Sequence, residues 1–138
     1  MKFNKKDLKT LTNIIASRRD VRGNNFINKK ISSKKLDIIL HYALQAPSVG
    51  YSQPWQFIIV NKDKRDFVYS HFKKSFEKSK KKFVDKPLYS SLKLERIKES
   101  NMNIAVYYKK STSNTLGQTY MKRTGEYSVV CAILNMWL

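Results

Sequence analysis

The chain has 138 residues, room for one domain and too few for two ordinary ones. Hydrophobic residues make up 41% and aromatics 12%, with four Gly and three Pro, which excludes a disordered tail, a collagen-like chain and a flexible linker. Its 28 Lys plus Arg against 10 Asp plus Glu give a formal charge of +18, a field that attracts nucleic acid, anionic membrane or phosphorylated small molecules.

The makeup of that charge argues against dedicated nucleic-acid reading. Lys outnumbers Arg 22 to 6, and Arg is the usual phosphate-forking and base-reading residue. The densest run, Lys78-Ser79-Lys80-Lys81-Lys82, has the pattern of a solvated helix face or of a polyanion site. No apolar run reaches the roughly 18 residues of a membrane span, and the basic N-terminus leads into no signal-peptide core. The single cysteine, Cys131, rules out an intrachain disulfide and a multi-cysteine zinc site. These features lead us to expect a soluble, cytoplasmic protein with no membrane and no specific nucleic-acid partner.

In chain order, Leu8, Leu11, Ile14 and Ile15 predict a first helix over 7–17 with Asp7 as its cap. The turn Arg18-Arg19-Asp20-Val21-Arg22 follows. Leu36, Ile39, Leu40, Ala43 and Leu44 predict a second helix from Ser32 or Ser33, stopped by Pro47. After the loop 46–54, Trp55-Gln56-Phe57-Ile58-Ile59-Val60 reads as a buried strand. A polar helix over 64–79 is expected to turn Phe67, Val68, Phe72 and Phe76 inward. A short helix over 88–99, a strand over 102–108 and a loop over 111–119 come next. A last helix from near Arg123 carries Tyr127, Val130, Leu134, Trp137 and Leu138. Its end carries no Gly or Asn cap and no polar tail, which suggests a truncated domain or one completed by a partner. Helices alternating with strands imply a mixed, layered α and β domain.

Three guanidinium groups at the end of the first helix suit phosphate oxygens, and equally suit the negative pole of that helix. Asp20 is either their ion-pair partner or a carboxylate placed beside a ligand for proton transfer. The loop Pro47-Ser48-Val49-Gly50-Tyr51-Ser52-Gln53-Pro54 is stiffened by two prolines. Ser48, Ser52 and Gln53 offer donors and acceptors to a planar heterocycle, and a purely structural connection is the alternative. His41 and His71 show no metal-ligand spacing, no Walker A or GxGxxG motif occurs, and Cys131 reads as a core residue.

The Arg18–Arg22 turn together with Ala46-Pro47-Ser48-Val49-Gly50-Tyr51-Ser52-Gln53-Pro54-Trp55-Gln56-Phe57-Ile58 resembles the nitroreductase superfamily. Asp20 within the turn, Leu92-Lys93-Leu94-Glu95 and Tyr127-Ser128-Val129-Val130-Cys131-Ala132-Ile133 resemble its 5,6-dimethylbenzimidazole synthase branch. Asn103-Ile104-Ala105-Val106 and Thr115-Leu116-Gly117 add to the match. The resemblance implies an α+β fold, a mixed sheet flanked by helices in α-β-α layers, paired as a homodimer around FMN. It implies Arg18, Arg19, Asp20, Val21, Arg22, Pro47, Ser48 and Gln53 as the cofactor-binding set and Asp20 as the catalytic residue. It further implies that reduced FMN is consumed with dioxygen to give dimethylbenzimidazole and erythrose 4-phosphate, the reduced flavin coming from a separate flavin reductase.

Family members continue past the Asn135-x-Trp137-Leu138 stretch into a glycine-rich segment ending Gly-Trp-x-Ser. The 138 residues are therefore expected to be the N-terminal part of a nitroreductase-like domain, incomplete at its C-terminus. A nitroreductase that recycles FMN is the alternative function; Asp20 distinguishes the two, because a recycling enzyme needs no carboxylate there. A basic polyanion-binding protein without catalysis is a third reading, resting on charge alone.

Overall fold

The computed structural model describes residues 2–21, 25–27, 29–83, 85–87, 94, 96–110, 117 and 120–138. The elements are α1 (Lys5–Ser17), α2 (Ser33–Leu44), β1 (Trp55–Val60), α3 (Arg65–Lys80), α4 (Arg96–Glu99), β2 (Asn103–Tyr108) and α5 (Thr124–Trp137), with 3-10 turns at Val49–Tyr51 and Lys62–Lys64. The class is α+β, as the resemblance implied. Among the described residues the sheet is a two-stranded antiparallel pair, β1 with β2. The chain falls into two compact units: Met1–Asp20, Ser32–Phe57 and Val106–Leu138 form the first, Val21–Ile31 and Ile58–Ala105 the second.

In the first unit, α1 begins two residues earlier than expected, and its cap is Asn4 rather than Asp7. The Asn4 carboxamide oxygen accepts from the N–H groups of Lys6 at 2.8 Å and Asp7 at 3.2 Å. The Asp7 carboxylate accepts from the Asn4 N–H at 2.9 Å, closing a reciprocal capping box. Asparagine wins the position because its short oxygen reaches two orphan N–H groups while Asp7, three residues on, reaches back. The apolar stripe of α1 buries none of its residues.

Helix α2 starts where Ser32 accepts the Lys35 N–H at 3.3 Å. It ends at Leu44, two residues before the one that Pro47 restricts. It packs against α5. The core holds Ala46, Trp55, Val129 and Ala132, with Phe57, Val106, Cys131 and Ile133 against it.

The inward face of α5 is Gly125, Ser128, Val129 and Ala132, at i, i+3, i+4 and i+7. Tyr127, Val130, Leu134 and Trp137, the large residues that the sequence brings forward, lie on exposed surface. Small side chains win the buried face because they let a helix come close to its neighbours. A Cβ added to Gly125 would lie 2.6 Å from Cε2 of Tyr108 and 2.8 Å from its hydroxyl oxygen, so an aromatic ring from β2 fills that place.

In the second unit, α3 follows the Lys62–Lys64 turn. Val68 and Phe76 are half-buried, but Phe67 and Phe72 are 65% and 56% exposed, contrary to the inward set expected for them. Phe67 lies over the His71 ring, with centroids 4.4 Å apart. Ile58 and Ile59 are exposed as well, so β1 is not the fully buried strand its composition suggested. A two-stranded ribbon gives each strand one paired edge and covers neither face by itself. Of the helix expected over 88–99, residues 88–93 and 95 lie outside the described residues, and α4 is its described part. The loop expected over 111–119 also lies outside them, except Gly117.

Gly125→Ala is expected to push the Tyr108 ring outward and lower the melting temperature. In a Tyr108→Ala background the same substitution should stabilise, by up to about 1 kcal/mol, the helix preference of Ala over Gly. Melting curves of the four chains test this reversal of sign.

Candidate functional site

All the site residues described in this subsection, Val21 apart, belong to the first unit. The loop between α2 and β1 is anchored at both ends. Ala46 and Trp55 lie in the core, and the Pro54 carbonyl accepts the Lys109 N–H at 2.7 Å. Between these anchors Pro47, Tyr51 and Gln53 are exposed and Ser48 is half-buried.

The path between them is a tight turn through the left-handed region. Gly50 has φ 52°, but so do two side-chain-bearing residues, Tyr51 at 52° and Gln53 at 42°. Each of the two costs of order 1–3 kcal/mol, and such backbone persists where its surroundings over-determine it. Here they do. The Tyr51 N–H reaches the Ser48 carbonyl at 3.1 Å, the Ser52 N–H reaches the Val49 carbonyl at 3.0 Å, and the Gln53 N–H reaches the Ser48 hydroxyl oxygen at 3.0 Å.

The decisive tie comes from α5. The hydroxyl of Ser128, 4% exposed, accepts the Val49 N–H at 3.1 Å and donates to the Thr124 carbonyl at 2.8 Å. A long-range hydrogen bond therefore sets the loop against the helix. Ser128 was part of the matched stretch in the sequence but not among the expected site residues. The signal that identifies it is its register with Gly125, Val129 and Ala132 on the small-residue face.

The arginine turn is arranged differently. The Arg18 N–H continues α1 to the Ile14 carbonyl at 2.9 Å, and its guanidinium stands 5.0 Å over the Trp137 ring. Arg19 turns back onto the end of α1, where one terminal nitrogen donates to the carbonyls of Ala16 at 2.8 Å and Arg18 at 2.7 Å. This is the helix-pole arrangement weighed against a phosphate clamp. Asp20 is exposed. Val21 is exposed and belongs to the second unit; Arg22 lies outside the described residues. Ser48 and Gln53 are thus joined by a direct bond, whereas Arg18 and Arg19 take other partners, Trp137 and the α1 terminus.

The donor set suits a flavin mononucleotide. Ser48 accepts one N–H and keeps its own proton to give, the Gln53 side chain is exposed, and the arginine forks match a phosphate. The Ser52 hydroxyl oxygen is shielded from solvent and has no hydrogen-bond partner among the described residues, an unsatisfied group in the middle of the loop. Among the described residues no group of three His, Cys, Asp or Glu is placed to hold a metal ion, and no helix is long and apolar enough to cross a membrane.

The model of the Nitroreductase family matches residues 15–138. A 5,6-dimethylbenzimidazole synthase from Rhodospirillum rubrum is 35% identical over 126 residues, 88% of this chain and 59% of that protein. A second protein of that name, from Rhodobacter capsulatus, is 28% identical over 143 aligned positions, covering 100% of this chain and 68% of its own length. The chain thus spans about three fifths of the first relative. Among solved structures, a BluB-like flavoprotein from Clostridium difficile 630 superposes with a TM-score of 0.69 at 17% identity, over 91% of this chain and 67% of that one. At that identity the likeness shows a shared fold.

Ser128→Ala removes the acceptor of the Val49 N–H and should cost about 1–3 kcal/mol, the penalty of an unpaired buried donor. The same substitution should weaken flavin binding several-fold by freeing the loop. Urea denaturation and a flavin fluorescence titration check the two effects separately.

Proposed function

We propose that this chain, which belongs to the nitroreductase family, works as a 5,6-dimethylbenzimidazole synthase, converting reduced FMN and dioxygen to dimethylbenzimidazole and erythrose 4-phosphate. The observation that carries the reading is the 35% identity to a protein of that name over 88% of the chain. The reading brings with it a homodimer and a separate flavin reductase as electron source.

FMN, when bound in its reduced form, supplies the electrons and the ring that are consumed. The protein's part is to bind, orient and move protons. Arg18, Arg19 and Arg22 supply cationic forks for the phosphate. The Gln53 backbone N–H, donating to the Ser48 hydroxyl oxygen, fixes that hydroxyl so that it gives its own proton to the polar edge of the flavin, and the exposed Gln53 carboxamide reaches the same edge. Pro47 completes the loop's part of the binding set. Asp20 is the proton-transfer group, an exposed carboxylate next to the arginines. The preset turn at 48–53 lowers the ordering cost of binding, because its strained residues are already in place.

A second reading is favoured by the family match itself: a nitroreductase that recycles FMN and reduces an organic acceptor. Asp20 separates the two.

Aerobic incubation of the purified chain with chemically reduced FMN, read by mass detection of dimethylbenzimidazole, tests the proposal. Product should appear. Asp20→Asn should lower its rate by about 100-fold or more, the usual range for a general acid–base group, with FMN affinity changed only a few-fold. Intact FMN at the end of the reaction, with acceptor reduction unaffected by Asp20→Asn, establishes the recycling enzyme instead. Arg18→Ala should reduce FMN affinity at least tenfold, and an unchanged dissociation constant removes Arg18 from the binding set.

A further inference from the structure

The second unit carries a cleft lined by none of the flavin-site residues. Its volume is about 740 Å³, inside the range of small-molecule pockets. Lys30, Lys62, Arg65 and Lys98 stand on its wall with Glu99. Lys98 is engaged elsewhere, holding Asp66 at 2.7 Å and lying 5.2 Å over the Tyr69 ring. Lys30, Lys62 and Arg65 supply the remaining cationic wall.

Arg65 is the best-placed of these. One of its terminal nitrogens donates to the Asn101 backbone carbonyl, which sets the plane of the fork. Its Nε is shielded from solvent and has no hydrogen-bond partner among the described residues. Set between lysines, with Glu99 as the carboxylate on the same wall, this guanidinium leaves the cleft short of negative charge. Phe26, Ile59 and Met102 give the same cleft an apolar wall. The lysine run at 78–82 is no part of it, so the concave, half-apolar site favours a small ligand over a polyanion.

We infer that this cleft binds an organic phosphate, a phosphomonoester whose charged end meets Arg65, Lys62 and Lys30 and whose apolar body lies against Phe26, Ile59 and Met102. The assignment is independent of the flavin reading, since it uses none of the same residues.

The probe is 1-naphthyl phosphate, titrated into the full chain and followed by amide chemical shifts, with 1-naphthol as the uncharged comparison. Saturable shifts are expected at Asn61, Lys62, Asn101 and Met102, with naphthol at least tenfold weaker. Arg65→Gln should weaken binding at least tenfold. Lys62→Gln, an exposed change that leaves the Arg65–Asn101 bond intact, should weaken it at least threefold. Arg18→Gln, in the flavin set, should leave the shifts at the cleft unchanged. The inference is overturned by the absence of saturable shifts there up to millimolar probe, by shifts confined to the Ser48–Gln53 loop, or by an equal loss of binding in Lys73→Gln/Lys74→Gln on the outer part of α3.

Discussion

The close seating of α5 on the first unit is the constraint on which the site depends. It is made by what its inner face lacks: Gly125, Ser128 and Ala132 have almost no side chain to hold the helix away. Proximity lets the Ser128 hydroxyl reach the Val49 N–H and lets the Tyr108 ring lie where a Cβ would otherwise be. A bulkier residue at Ser128 or Ala132 would lift the helix and open that hydrogen bond. The left-handed Tyr51 and Gln53 would then lose the support that holds them. Helix packing and loop conformation are thus one energetic unit.

The sequence was informative where periodicity and local chemistry agree. The limits of α2 and β1 are readable because a serine cap, a proline or a dense apolar run marks them. It was misleading where side-chain size stood in for burial. Tyr127, Val130 and Leu134 are the conspicuous apolar residues of α5, yet the buried stripe runs through Gly125, Ser128, Val129 and Ala132, of which Val129 alone is strongly hydrophobic. Phe67 and Phe72 show the same limit in α3: helical spacing gives a direction around the axis but not whether anything lies there to be packed against.

The candidate site divides along the same line. Ser48 and Gln53 sit in a loop whose prolines and short polar residues announce a fixed turn, and their hydrogen bond follows from that local geometry. Arg18 and Arg19 were ambiguous from spacing, because a guanidinium at a helix end serves the helix and a phosphate equally well. The structure has Arg19 on the carbonyls of Ala16 and Arg18 and the Arg18 guanidinium over Trp137, 119 residues away in the chain. No local pattern encodes a partner that distant. Ser128 was hidden for the same reason: its role appears only when α5 and the Val49 turn are brought together.

The unburied stripe of α1 gives the +18 charge a role separate from any ligand. Leu8, Leu11 and Ile15, with Val130 and Leu134 on α5, are apolar surface that favours self-association in water. Mutual repulsion between such strongly charged copies opposes it. The two forces respond oppositely to electrolyte: repulsion is confined to about 10 Å at 0.1 M and about 3 Å at 1 M, whereas apolar attraction does not fade with added salt. Dispersion of this chain is therefore an ionic-strength property, greatest in dilute buffer, where the lysines act as a colloidal stabiliser for a surface that is only partly covered.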